Sequence, residues 1–280
     1  MQFKSDSVAI FSGGLDSTTL VYEMVNMGYE PHLLSFNYGQ RHKKELAFAT
    51  NTAFKLGLRH DTIDLTGITH LISNSALTAP LVDSDGDIVP PFDGDLDHVK
   101  PRIDVPEGHY AQDNMKLTVV PNRNMIMLSI AAGVAINNSY KLIATGVHAG
   151  DHFVYPDCRP EFIQYLNDAI VLGNGGFGAL EERVPGTTPQ EFIYAPFSNI
   201  SKTDIAKRAF RLDVPLAETW SCYKGGEVHC GRCGTCVERL EAISEAATDL
   251  YGEKAANLGL FDPTVYADSE FWKTAKAPTA

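Results

Sequence analysis

The sequence predicts an α/β protein, a doubly wound parallel sheet with helices on both faces. Three observations predict it. Short apolar runs at Val8–Phe11, Leu33–Phe36 and Leu142–Ala144 read as buried strands. Amphipathic stretches at Ser17–Met27, Lys43–Leu56 and Asn124–Ile136 have helical spacing, and the two kinds of segment alternate along the chain. In such sheets ligands sit beyond the carboxyl ends of the strands, so a site is expected in the strand-to-helix loops.

The first strand runs into Ser12-Gly13-Gly14-Leu15-Asp16-Ser17-Thr18-Thr19, and a helix follows. Paired glycines let the backbone turn tightly and aim its N–H groups at an anion, and the new helix adds its positive end. Ser12, Ser17 and Thr18 add hydroxyl donors, and Asp16 is suited to hold Mg2+ against phosphates. The plainer reading is a corner with Asp16 or Ser17 as helix cap. No Walker lysine follows, which excludes a kinase-type phosphate loop.

Further along, periodicity fails between about residues 73 and 116, where Pro80, Pro90, Pro91, Pro101 and Pro106 interrupt an Asp- and Gly-rich run. The segment reads as a long excursion or lid. Asp83, Asp85 and Asp87 start like a calcium loop, but Ile88 stands where glycine is needed. A helix is expected at Pro160–Leu172. Gly173, Gly175 and Gly178 then satisfy Gly-x-Gly-x-x-Gly after a helix instead of a strand, which excludes a dinucleotide fingerprint. A short strand at Phe192–Ala195 precedes a helix from Ser201, where Ser201 and Asp204 make a capping-box pair.

Cys222, Cys230, Cys233 and Cys236 crowd into one stretch, with glycines at 231 and 234 permitting the turns that point thiolates at one ion. A structural Zn2+ in a closed four-sulfur site is the preferred reading, and an iron–sulfur cluster is the rival. His229 is a spare ligand. Residues 1–215 are expected to form the catalytic domain and 216–280 a metal-binding helical region and tail. Cys158 stands apart and reads as a small pocket residue before a nucleophile.

Bulk properties narrow the classes. The chain has 280 residues, 44% of them hydrophobic, enough for one large core with a small appendage. A formal net charge of -12 and a pI of about 5.1 argue against a polyanion-wrapping surface, so no nucleic-acid partner is expected. No stretch approaches the ~20 apolar residues of a membrane span, and Met1–Asp6 lacks a leader pattern, so a cytoplasmic protein is expected.

The string Ser-Gly-Gly-x-Asp-Ser at 12–17 resembles the signature of the PP-loop ATP pyrophosphatases, which adenylate a carboxylate, amide or carbonyl group. Five further segments resemble one family within that group: Ser35–His42, Ser75–Thr78, Val120–Asn124, Tyr155–Phe162 and Thr219–Tyr223. Together with Ser201-Lys202 they look like the 7-cyano-7-deazaguanine synthase family, over about Val8 to Pro263. The resemblance implies an adenine-nucleotide alpha-hydrolase-like fold, a homodimer, and conversion of 7-carboxy-7-deazaguanine, ammonia and ATP into a nitrile. It implies that ATP is surrounded by Phe11, Ser12, Gly13, Gly14, Leu15, Asp16, Ser17, Thr18, Thr19, Leu20 and Val21, and that zinc takes the four cysteines. Lys202 acquires a phosphate role from it.

Other roles follow from chemistry. A guanine-like edge offers adjacent N–H donors to one carboxylate, which suits Asp157 or Glu161, unless these cap the following helix. Arg159 or Arg123 suits the substrate carboxylate or the adenylate phosphate. Tyr38, Tyr155 and Trp220 are candidates for stacking, or core. The chain departs from many members at His148, where asparagine is common, and in its longer excursion. Rival functions are another PP-loop enzyme, tRNA-modifying or sulfur-transferring, and a nucleotide-binding regulator without turnover.

Overall fold

The protein is seen in a computed structural model that describes residues 5–89, 99–176, 191–253 and 262–275. Pro90, Pro91, Gly178, and residues 261 and 276–280 of the tail lie outside them.

Strand β1 (Ser7–Ile10) leads to helix α1 (Leu15–Asn26), β2 (Pro31–Asn37), α2 (Lys44–Leu56) and β3 (His60–Asp64). A small antiparallel sheet follows, from β4 (Leu81–Val82), β5 (Ile88–Val89) and β6 (Lys100–Pro101). Then come α3 (Arg123–Asn137), β7 (Ile143–Ala144), α4 (Pro160–Gly173), β8 (Ile193–Tyr194), α5 (Lys202–Arg211) and α6 (Gly234–Tyr251). The main sheet has five parallel strands in the order β3-β2-β1-β7-β8. The order reverses at β1, so a crevice opens there at the carboxyl ends of β1 and β7.

Alternation along each strand sends successive side chains to opposite faces. Val8, Leu34 and Phe36 join Leu128, Ala131 and Ala135 of α3 in one core. Ala9, Phe11 and Leu33 join Leu20 and Met24 of α1, Ala53 of α2 and Ile205 of α5 in another. The sheet is thus covered on both faces, as the sequence predicts.

Strand β3 went unpredicted because it is a sheet edge: His60–Asp64 is polar and partly exposed, with no apolar run to see. Helix α6 supplies the helix expected in the region after residue 215, and it begins inside the cysteine cluster. It packs Ala242, Ile243 and Ala246 on Leu15, Ala206 and Ala209, so the cysteine-rich region shares a core with α1 and α5.

The excursion is more than a solvated loop. Ala76, Leu77, Val105, Tyr110 and Met115 are buried in the larger core. The Gly108 N–H donates to Arg232 O at 3.0 Å, and Glu107 bridges to Cys233, tying the returning limb to the cysteine cluster. Between β4 and β5 the Asp83 carboxylate accepts the N–H groups of Asp85 and Asp87, an acidic turn at the surface. Among the described residues no helix is long and apolar enough to cross a membrane.

Candidate functional site

A cleft opens where β1 and β7 end, lined by the Ser12–Ser17 loop and by residues from α2, α3, α5 and the segment around Trp220. Gly13 has φ +76, and a Cβ there would lie 2.7 Å from Ala49 N and 2.8 Å from Glu45 O. Backbone cannot yield that space, so glycine is required. The Ser17 hydroxyl bridges Ser12 Oγ (3.1 Å) and Gly14 O (3.3 Å), fixing the turn. The Trp220 N–H donates to Gly13 O at 2.9 Å from the far side. Thr18, Thr19 and Leu20 are buried in α1; Thr19 Oγ1 donates to Leu15 O. They support the loop from behind, and neither they nor Val21 line the cleft.

Asp16 opens α1 and faces the cleft. Its Oδ2 accepts from Lys202 Nζ at 3.0 Å, while Oδ1 is buried without a hydrogen-bond partner among the described residues. Lys202 also lies 2.9 Å from Glu238 Oε2 and 3.5 Å from His148 Nε2. Burial pushes the Asp16 carboxyl up, but the Lys202 ammonium outweighs it and holds the group below the usual range. Burial likewise opposes charge on Lys202, and Asp16 with Glu238 reverses it, so the ammonium persists. His148 is buried, with Nδ1 accepting the Gly150 N–H, and its own N–H donates to Asp151 Oδ2. Tyr110, from the excursion, donates to Asp151 Oδ1 at 3.0 Å.

Deeper in the cleft Arg123 sits among aromatic rings. Its guanidinium lies 5.3 Å from the centre of the Tyr155 ring, and no described carboxylate forms an ion pair with it. Burial pushes the Tyr38 hydroxyl up to about 12 despite that guanidinium, and pushes His42 down to about 3. Glu45, bonded to Gln40 Nε2 at 2.9 Å, is raised by burial to about 7. Cys158 accepts from Asn124 Nδ2 and is held protonated by burial, which makes it a poor nucleophile.

The site therefore brings together Phe11, Ser12, Gly14, Leu15, Asp16, Ser17, Tyr38, Arg123 and Lys202, with Gly13 turned away toward α2. Asp157, Arg159 and Glu161 do not line it: Asp157 Oδ2 accepts the Asn124 N–H at the start of α3, Arg159 Nε donates to His152 O, and Glu161 is exposed. Sequence reasoning missed Glu238, Asp151, Tyr110, Glu45 and Tyr223, whose distance along the chain leaves no local pattern.

The four cysteines are free thiols whose sulfurs all lie within 4.8 Å of one another, Cys230 and Cys236 at 3.9 Å. Sulfurs about 2.3 Å from a tetrahedral ion stand about 3.8 Å apart, so the set fits one ion. Backbone N–H groups of Arg232 and Cys233 point at Cys230 Sγ, stabilising a thiolate there. His229 is not a ligand; its Nε2 accepts the Ser221 N–H at 3.0 Å and its ring lies on Trp220.

Comparison with known proteins bears on this arrangement. The sequence model of a family described as queuosine biosynthesis protein QueC matches residues 6–88 and 96–247. A 7-cyano-7-deazaguanine synthase of Ruegeria pomeroyi is 44% identical over 96% of this chain and 97% of its own. Proteins of the same name from Rhizobium meliloti and Paracoccus denitrificans are 45% and 41% identical, over 96% and 97% of this chain and 95% and 97% of theirs.

Proposed function

This chain belongs to the QueC family of queuosine biosynthesis proteins, and from that premise we propose how its residues divide the work of making 7-cyano-7-deazaguanine. It is an enzyme of the ligase class that forms this nitrile. ATP lies over Phe11–Ser17, with α1 behind it, its phosphates facing the loop N–H groups and Lys202. The substrate carboxylate attacks the α-phosphorus and pyrophosphate leaves. Ammonia displaces AMP from the acyl adenylate to give the amide. The amide oxygen attacks a second ATP in the same way, and loss of AMP and a proton leaves the nitrile.

The observation that carries this is the Asp16–Lys202 pair at the mouth of the glycine loop, with one Asp16 oxygen buried and unpartnered. A phosphate-binding loop needs a cation beside it and an oxygen for Mg2+, and both are present there. Magnesium supplies charge neutralisation on the phosphates. Arg123, with no carboxylate ion-paired to it among the described residues, takes the substrate carboxylate, and Tyr38, Tyr155 and Tyr223 offer faces to the planar base. Among carboxylates of the cleft, Glu45 is better placed than Asp157 or Glu161 to meet its N–H edge.

The four cysteines hold zinc in a closed structural site, since one tetrahedral ion accounts for their spacing and a cube-shaped cluster spreads its ligands wider. The assembly is a cytoplasmic homodimer that takes small molecules and no nucleic acid.

Incubation with ATP, ammonia and 7-carboxy-7-deazaguanine, followed by mass spectrometry, is expected to yield the nitrile and AMP. Neither product from folded, metal-replete protein overturns the reading. Metal analysis is expected to return one zinc per chain; iron in its place overturns the zinc assignment.

A further inference from the structure

Lys202 is held from two sides. Asp16 reaches it from the N-terminal loop at 3.0 Å, and Glu238 reaches it from α6 at 2.9 Å. Lys202 and Glu238 are largely screened from solvent, with side-chain exposures of 10% and 13%, and Asp16 is exposed to 23%. Lysine is a compact charge on a four-carbon stem with many rotamers, so a single partner leaves its position poorly determined. A second anchor on a rigid element corrects this. Helix α6 is such an element. It begins at Gly234 within the cysteine cluster and includes Cys236. The next residue after Glu238, Arg239, is fully buried and bonded to Thr219 Oγ1, Leu216 O and Asp262.

We infer that Glu238 is the positioning residue for Lys202, keeping its ammonium at the phosphate loop when Asp16 turns toward the nucleotide. It acts through Lys202 and touches no reacting atom. The inference rests on the reading of Lys202 as a phosphate-handling residue. Glu238 approaches Lys202 from the C-terminal part of the chain, and only the Asp16 side of the lysine faces the nucleotide in the proposed reaction. The fixed side of the lysine is therefore the α6 side.

The test is a mutant cycle on the intact chain, read as AMP release, with metal content and melting temperature measured alongside. Glu238→Ala is expected to lower kcat about 10- to 100-fold, leaving KM for ATP nearly unchanged and zinc fully bound. Glu238→Gln keeps an oxygen acceptor in the same place and recovers most of that loss. In a Lys202→Met background Glu238→Ala costs nothing further, because the group it positions is gone. A Glu238→Ala rate equal to the parent's, or an equal cost with and without the lysine, overturns the inference. Full activity in Lys202→Met alone overturns the earlier reading of the lysine, a distinct outcome. Should the alanine variant misfold, the glutamine variant carries the cycle: its smaller loss must also vanish without Lys202.

Discussion

Asp16 and Lys202 stand 186 residues apart along the chain and 3.0 Å apart in the cleft. Removing the carboxylate leaves Lys202 still paired with Glu238, so no buried charge is stranded and the fold is expected to survive. Asp16→Ala is expected to lower AMP release by at least about 100-fold with an unchanged circular dichroism spectrum. An unaffected rate refutes the role given to Asp16.

Gly13 offers a test of the loop itself. A Cβ there meets backbone of α2 at 2.7 Å, and the residue is left-handed. Gly13→Ala is expected to cost about 1–3 kcal/mol or more and to weaken ATP binding. Gly28, also left-handed but with nothing near a Cβ, supplies the control, where only backbone strain of about 1 kcal/mol applies and ATP affinity holds. Denaturant melts and calorimetric titration with ATP check both.

Among the described residues no carboxylate forms an ion pair with Arg123, and a planar fork grips a carboxylate with two bonds where an ammonium gives one. Arg123→Lys is expected to raise KM for 7-carboxy-7-deazaguanine about tenfold or more, with KM for ATP little changed. Equal effects on both substrates move Arg123 to the phosphates.

Glu45 gives a pH dependence whose sign follows from its burial. Its carboxyl is raised to about 7 in the fold, so the folded chain holds the proton more tightly than the unfolded one. Stability from this group is full at low pH, falls as pH rises from about 4.5 to 7, and stays lost above. Glu45→Gln never ionises. Its stability relative to the parent is expected to grow by at most about 3 kcal/mol between pH 4.5 and 8. A difference that stays flat with pH contradicts the raised value.

Arg239 and Asp262 form a buried pair, exposed to 0% and 1%, and Thr264 and Tyr266 also donate to Asp262. Asp262→Ala leaves a guanidinium buried beside hydroxyl and carbonyl oxygens alone. A loss of about 3–5 kcal/mol is expected in urea unfolding. A loss under about 1 kcal/mol shows the pair to be well hydrated.

What local sequence can encode was legible. The Ser12–Ser17 loop, the capping box at Ser201 and the cysteine spacing each lie within one turn or one short segment, so the pattern carries the geometry. Ser201 Oγ does accept the Asp204 N–H, at 3.1 Å. Chance proximity in the chain misled elsewhere. Asp157 and Glu161 flank Cys158, which lines the cleft, yet Asp157 meets the N-terminus of α3 and Glu161 points to solvent. Glu238 and Tyr110 were illegible because each enters the site on an element whose path depends on tertiary packing. The polar strand His60–Asp64 carried no hydrophobic signal, being paired on one side alone.

The bond from Trp220 N–H to Gly13 O and the reach of Glu238 to Lys202 set an order of events at the ribosome. The glycine loop is made before its partners, which follow some two hundred residues later in the chain, at a synthesis rate of about 5–20 residues per second. For on the order of ten seconds or more, a nascent chain carries the loop without the groups that complete it. Nucleotide is therefore expected to stabilise the loop fully only in chains long enough to have released Lys202, Trp220 and Glu238.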